Sequence, residues 1–142
     1  MLDELARNGR SFRRFQEDHA IDESTMRELL ELARLAPSGA NLQPLKYIIS
    51  CTPEKNALIF PHLAWAGYLK EWDGPEEGER PAAYVLILGD TTIAAHFGVD
   101  HGIAAQNIVL GATERGLGAC MIGSIRRDAL RQALGISDRY AV

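Results

Sequence analysis

The chain has 142 residues, a mass of 15.6 kDa and 46% apolar residues, which is one ordinary domain with enough hydrophobic content for a core. A formal charge of −4, a pI near 5.5 and the lack of any Lys/Arg run argue against nucleic acid as a partner. Met1-Leu2-Asp3-Glu4-Leu5 opens with acids rather than an apolar signal region, and no stretch approaches the roughly 18 uncharged apolar residues of a membrane span, so a soluble chain with no membrane partner is expected.

Residues 2–8 form a short amphipathic turn or helix, which Asn8-Gly9 stops because glycine takes the left-handed C-terminal conformation at little cost. Arg10-Ser11-Phe12-Arg13-Arg14-Phe15 follows. Coming directly after a helix stop, Arg10, Ser11 and Arg13 bring two guanidiniums and a hydroxyl to where they can converge on one anion, with forked, charge-assisted bonds to phosphate. A solvated basic patch paired with Glu17 or Asp18 accounts for the same residues.

Asp22 is placed to cap a helix running to about Leu35, with Met26, Leu29, Leu30 and Ala33 on one buried face. Pro37 ends it, and Pro37-Ser38-Gly39-Ala40-Asn41-Leu42-Gln43-Pro44 then presents several small or amide-bearing groups at once. A plain helix-to-strand turn explains Pro37 and Gly39. It explains less well why Asn41 and Gln43 both place amides where they would face a shared partner, and the segment reads as a loop built to lie against a flat polar ligand.

Lys46–Cys51 reads as a strand, and Thr52-Pro53 opens a short helix with proline in its first position. The acidic, glycine-rich stretch from Glu71 to Arg80 has no apolar period and reads as a mobile surface loop. Either it is plain solvent-facing chain, or it is a lid whose Trp72 stacks over a flat acceptor. Tyr84–Leu88 is a strand of the kind buried on both faces. From about Thr92 to Arg115 apolar residues occupy most faces, which predicts a long central helix surrounded by protein. Gly116-Leu117-Gly118 ends it, Ala119–Ile122 is a short strand, and Ile125 to about Leu134 is a last helix stopped by Gly135. No repeat, low-complexity tract or linker interrupts the chain, so residues 1–142 are expected to be a single domain.

Cys51 and Cys120, far apart and each within an apolar stretch, read as reduced core thiols, which favours the cytoplasm. The run from Gly116 to Ser124 is not a dinucleotide fingerprint: its third glycine is misplaced, and it leads from helix to strand, the reverse of the Rossmann order. Gly123 and Ser124 instead let a backbone N–H approach a ligand with no bulky side chain between. His19, His62, His96 and His101 lack metal-ligand spacing, so no metal is expected. Asp100-His101 is not read as part of a hydrolase triad, because there is no G-x-S-x-G elbow and both residues fall within the predicted central helix.

Taken together, Arg10–Phe15, Pro37–Pro44 and Cys120–Ser124 resemble, in order and spacing, three segments of the nitroreductase family of FMN-dependent oxidoreductases, and the likeness runs through nearly the whole chain. The first looks like that family's R-S-x-R-x-F phosphate-binding entry and the second like its P-S-x-x-N-x-Q-P flavin loop. The third looks like the strand end that faces flavin N5. The resemblance implies an α+β fold with a mixed, mainly antiparallel sheet flanked by helices and a long buried central helix. It also implies an intertwined homodimer with FMN at the interface. Arg10, Ser11 and Arg13 would hold the phosphate and ribityl end from one subunit, and Pro37, Ser38, Gly39, Asn41 and Gln43 would approach the same flavin from the other. Gly123 would offer its N–H near N5, with Met121, Ile122 and Ser124 beside the ring.

NAD(P)H would reduce the flavin, leave, and be replaced by a nitroaromatic, quinone or similar small aromatic acceptor. Such a ping-pong cycle needs no side-chain acid or base, so no catalytic residue is named. A non-catalytic dimeric flavin- or ligand-binding module is the alternative. The chain departs from the family pattern in two places: Gly9 stands where a second basic residue is common, and the sequence stops at Tyr140-Ala141-Val142 where members continue into a further strand and a C-terminal arm. The expectation is therefore a C-terminally incomplete member of the family.

Overall fold

The structure is a computed structural model describing residues 1–142. Its elements are α1 (Leu2–Asn8), α2 (Glu23–Arg34), β1 (Leu45–Ser50), α3 (Pro53–Ile59), β2 (Tyr84–Asp90), α4 (Asp100–Glu114), α5 (Arg127–Leu134) and β3 (Tyr140–Ala141), with short 3-10 turns at Gly39–Asn41 and Phe60–His62. The local signals act where expected. The Asp22 carboxylate accepts the Thr25 N–H at 2.7 Å, Thr52 caps α3 with Pro53 in its first turn, and α5 ends on a left-handed Gly135. Each cap pairs a backbone group that the end of a helix leaves without an intrahelical partner. Met26, Leu29 and Ala33 are buried and Leu30 half-buried, as their spacing requires.

The three strands form one antiparallel sheet in the order β1-β2-β3, with Leu45 opposite Gly89, Ser50 opposite Tyr84, and Gly89 opposite Ala141. Successive strand residues point to opposite faces, so β2 serves two cores. Leu86 and Leu88 pack with Ile59 of α3, Leu130 of α5 and Ile136. Val85, with Ile49 of β1, packs on the other face under Met26 and Leu29 of α2 and Ala112 of α4. The α+β class is as expected, but every ladder is antiparallel, and the one parallel pairing is an isolated bridge between Ser11 and Ala119.

Several expectations fail for reasons of long-range structure. Thr92–Val99 is not helical. The Asp90 carboxylate captures the Thr92 N–H at 3.0 Å and its hydroxyl at 2.6 Å, giving this backbone a turn in place of a helix, and Gly98 turns left-handed just before α4 begins. α4 is also less enclosed than its composition implies: Ala104, Val109 and Ala112 are buried, while His101, Gly102 and Gln106 face solvent. Ala119–Ile122 forms no strand, since the only backbone it pairs with is the Ser11–Phe12 stretch. Gly9 stops α1 without entering the left-handed region (φ −71°). A Cβ there would sit 3.0 Å from the Leu5 carbonyl oxygen, 3.2 Å from Thr113 Oγ1 and 3.3 Å from Val109 Cγ1, so crowding by the last turn of α1 and by α4 favours glycine.

The C-terminal residues supply a strand the sequence reading did not anticipate. Arg139 forks onto the buried Asp90 carboxylate, Nε to Oδ1 at 3.0 Å and Nη2 to Oδ2 at 2.6 Å, and this places β3 against the end of β2. The Glu71–Arg80 stretch lacks regular structure, yet it is tied down: Phe15 N–H donates to Glu79 C=O at 2.8 Å, Gly78 N–H donates to Glu17 Oε2 at 2.5 Å, and Gly74-Pro75 is buried against Trp65. Trp72 is half-buried. Cys51 and Cys120 are free and half-buried, Cys51 packing against the cluster of Met26, Leu29 and Ala112. No helix is long and apolar enough to cross a membrane.

Candidate functional site

Two groups of the sequence-predicted residues come together at one end of α4. Phe12 N–H donates to Ala119 C=O at 3.0 Å, and the Phe12 ring lies against Gly118, where a Cβ would come within 2.9 Å of it. These contacts set Arg10, Ser11 and Arg13 beside the run that leads to Ser124. With Gly9 and Tyr68 the three residues line an open depression of about 470 Å³. Arg13 donates to the Ser11 C=O at 3.2 Å and its guanidinium lies 5.6 Å from the centre of the Tyr68 ring. The Arg10 guanidinium is exposed and makes no ion pair or side-chain hydrogen bond within the chain. Glu17 is engaged by Gly78, and within the basic run Arg14 is the residue that meets a carboxylate, Glu79 at 3.5 Å. A self-neutralised basic patch is therefore not what the first segment forms. Below it, burial pushes the Cys120 thiol up, opposed by the nearby Arg13 charge and the Ser11 hydroxyl, so it stays a neutral thiol.

The Cys120–Ser124 run ends on two anchored carbonyls. Gly123 C=O accepts Arg127 Nη2 at 3.1 Å, and Ser124 C=O accepts the Ala64 N–H at 2.9 Å. The Gly123 N–H has no backbone acceptor, and a Cβ on Gly123 would touch nothing within 4 Å. Packing within this chain thus gives no reason for glycine, and the site it leaves is an open N–H flanked by exposed Met121, half-buried Ile122 and exposed Ser124.

The Pro37–Gln43 loop lies at the other end of α4. Its backbone is unusual: Ala40, Asn41 and Gln43 have φ of 50°, 55° and 52°. Each non-glycine residue held there costs about 1–2 kcal/mol, somewhat less for Asn. The Ser38 hydroxyl donates to Asp100 Oδ2 at 2.6 Å and accepts the Gln43 N–H at 3.0 Å, while the Gly39 N–H donates to Asp100 Oδ1 at 3.0 Å. Ser38 and Gly39 are thus occupied within the chain. Asn41 and Gln43 do not stand as two independent amides, because Gln43 Nε2 donates to Asn41 Oδ1 at 3.0 Å; the pair leaves the Asn41 NH2 and the Gln43 carbonyl facing solvent with exposed Pro37 nearby.

Sequence reasoning did not pick out Asp100, which the structure places under this loop. It is buried, and the Ser38 hydroxyl, with the Gly39 N–H next, holds its carboxyl below the usual carboxylate range. Burial, then the Asp100 charge, raises the neighbouring Tyr47 phenol. A signal was present: Asp100 is the one carboxylate between Thr92 and Thr113.

The structure does not bring the three segments into one place. Gly9, next to Arg10, touches Val109 and Thr113, whereas the loop rests on Asp100 at the first turn. The 13 steps from Asp100 to Thr113 span about 20 Å of helix at 1.5 Å per residue. The chain therefore carries two separated surfaces.

Comparison with known proteins agrees with this architecture. A solved chain from Desulfovibrio desulfuricans, described as a candidate nitroreductase in complex with FMN, is 28% identical with a TM-score of 0.74, over 96% of this chain and 77% of that one. Another, from Exiguobacterium sibiricum and also described in complex with FMN, shares the fold at a TM-score of 0.80 and 21% identity, over 99% of this chain and 83% of that one. A curated Streptomyces coelicolor protein, named as a candidate NADH dehydrogenase/NAD(P)H nitroreductase, is 32% identical over 71 residues, half of this chain. The match spans about a third of that relative's length (32%). The family model described as "Nitroreductase family" matches residues 6–142, and the chain belongs to that family.

Proposed function

We propose that this chain is an FMN-dependent oxidoreductase that takes hydride from NAD(P)H and delivers it to a nitroaromatic, quinone or similar small aromatic acceptor in a ping-pong cycle. It would act as a homodimer with FMN at the interface. The observation that carries this reading is the separation of two solvent-facing half-surfaces by the length of α4, which a second copy, turned to bring unlike ends together, would join. Family membership and the FMN bound by a 28% identical relative support FMN as the ligand.

The residues present suit the group. The unpaired Arg10, with Ser11 and Arg13 beside it in an open depression, matches a phosphate. The free Gly123 N–H, with Met121, Ile122 and Ser124 around it, offers a flat ring one donor and an apolar bed. From the second copy, the loop held by Ser38 and Gly39 would present Pro37, Asn41 and Gln43 to the same ring. Bound FMN supplies the hydride-accepting centre at N5, so the chain's own part is to bind and orient, and no catalytic side chain is assigned. Leu35, Leu42 and Val99, exposed at 63%, 51% and 70% around the loop and the start of α4, are surface that a second copy would cover. The free cysteines suit a reducing cytoplasm.

The test is an absorbance spectrum of the purified, FMN-supplemented protein before and after anaerobic NADH or NADPH. A yellow protein bleached by either supports the proposal. A yellow protein that neither bleaches is a flavin-binding module, and a protein that takes up no flavin is neither.

A further inference from the structure

We propose that Asp100 is the positioning residue of the proposed flavin site: from the head of α4 it holds the Pro37–Gln43 loop in its binding shape, a role that rests on the FMN reading for its consequence but not for its geometry. Every hydrogen bond that leaves Pro37–Gln43 ends on this carboxylate, from the Ser38 hydroxyl at 2.6 Å and from the Gly39 N–H at 3.0 Å. The remaining bonds are internal: Asn41 N–H to Ser38 C=O at 2.9 Å, Leu42 N–H to Gly39 C=O at 3.1 Å, Gln43 N–H to Ser38 Oγ at 3.0 Å, and Gln43 Nε2 to Asn41 Oδ1 at 3.0 Å.

The arrangement is directional. Because the Ser38 hydroxyl donates to Asp100, its lone pair is turned toward Gln43, and the carboxylate thereby orients a residue it does not touch. Three non-glycine residues in the left-handed region give the loop a reason to relax as soon as that hold is lost. The charge is well placed, since a carboxylate at the first turn of a fifteen-residue helix faces the positive end of its dipole. The flanks of the loop are held separately, by Asn107 Nδ2 on Leu32 C=O at 3.0 Å and by Asp90 N–H on Pro44 C=O at 2.8 Å. Loss of Asp100 is therefore felt inside the loop and not at its ends.

The experiment compares wild type, Asp100→Asn, Asp100→Ala and Ser38→Ala as full-length chains. Backbone amide exchange is read by NMR in flavin-free protein, and FMN affinity by titration. In Asp100→Ala the Asn41 and Gln43 amides should exchange at least about tenfold faster while β1 and β2 amides are unchanged. FMN should bind at least about tenfold more weakly, with Asp100→Asn, which keeps an acceptor for Gly39, between the two. Unchanged exchange at Asn41 and Gln43 overturns the proposal, as does faster exchange with unchanged FMN affinity. If Asp100→Ala loosens the whole sheet, Ser38→Ala decides: it must speed Gln43 exchange and weaken FMN, or the proposal fails. Wild-type protein that binds no FMN overturns the proposed function, and the exchange data still decide whether Asp100 anchors the loop.

Discussion

Replacing Gly89 with alanine tests how the sheet is coupled to the start of α4. Gly89 has strand neighbours on both sides, Leu45 and Ala141, and the far edge of the Phe97 ring lies on it. A Cβ at this position would stand 2.3, 2.4 and 2.5 Å from Phe97 Cζ, Cε2 and Cε1. Carbon atoms in comfortable contact are about 3.5–4.0 Å apart, so the ring must retreat by more than about 1 Å. Three atoms of a rigid ring are involved rather than one flexible tip, and the Phe97 carbonyl accepts the Asp100 N–H at 3.1 Å. Overpacking of this kind costs about 1–3 kcal/mol, which in a chain of 142 residues lowers Tm by about 3–10 °C. Differential scanning calorimetry reads the shift, and the Gly89→Ala, Phe97→Leu double variant should melt above Gly89→Ala alone. A single variant within about 1 °C of the parent, or a double variant no better than the single, would refute the steric argument.

Leu130, fully buried beneath the sheet, should cost about 2–5 kcal/mol when cut to alanine, seen as a lower urea midpoint with an unchanged slope. In the proposed site Arg10→Ala would remove one charge-assisted phosphate contact worth about 1.5–3 kcal/mol and should weaken FMN about 10- to 150-fold by calorimetric titration; unaltered affinity would take Arg10 out of the site. Asp22, Asp90 and Asp100 are held below the usual carboxylate range chiefly by the Thr25 N–H, the Arg139 guanidinium and the Ser38 hydroxyl. The unfolded chain therefore binds more protons than the folded one below about pH 4, so their contribution is full at neutral pH and declines as acid protonates them in the folded state. Urea midpoints from about pH 6 to about pH 2 should fall, and fall less in Asp90→Asn; parallel profiles would contradict the assignment.

What could be read from the sequence follows the range of the interactions involved. Asp22, Thr52-Pro53 and Gly135 act on backbone within a few residues, and their helix ends stand where the sequence places them. Thr92–Val99 reads as helix because its composition is apolar, but the Asp90 carboxylate that bends it also answers to Arg139, 49 positions on. Gly9 reads as a left-handed cap because that is glycine's commonest reason locally, whereas here the space for a Cβ is taken by the Leu5 carbonyl together with the distant Val109 and Thr113. The residue types in the three motif segments were legible, and so was the open character of Gly123. The support of the loop was not: Asp100 stands out as a lone carboxylate in an apolar stretch, but its partner Ser38 lies 62 positions away, so the sequence does not show what it holds.

The length of α4 has a genetic meaning. In the proposed pair every site draws its arginines from one chain and its loop from the other. A chain damaged only at Arg10 keeps a sound loop, and a chain damaged only at Asp100 keeps sound arginines. Co-expressed, two inactive alleles would build mixed pairs in which one site is assembled from intact halves while its twin collects both lesions. A defective chain paired with a normal one would likewise forfeit one site and leave the other whole, so loss-of-function alleles at either end of the helix would be recessive and would complement across it.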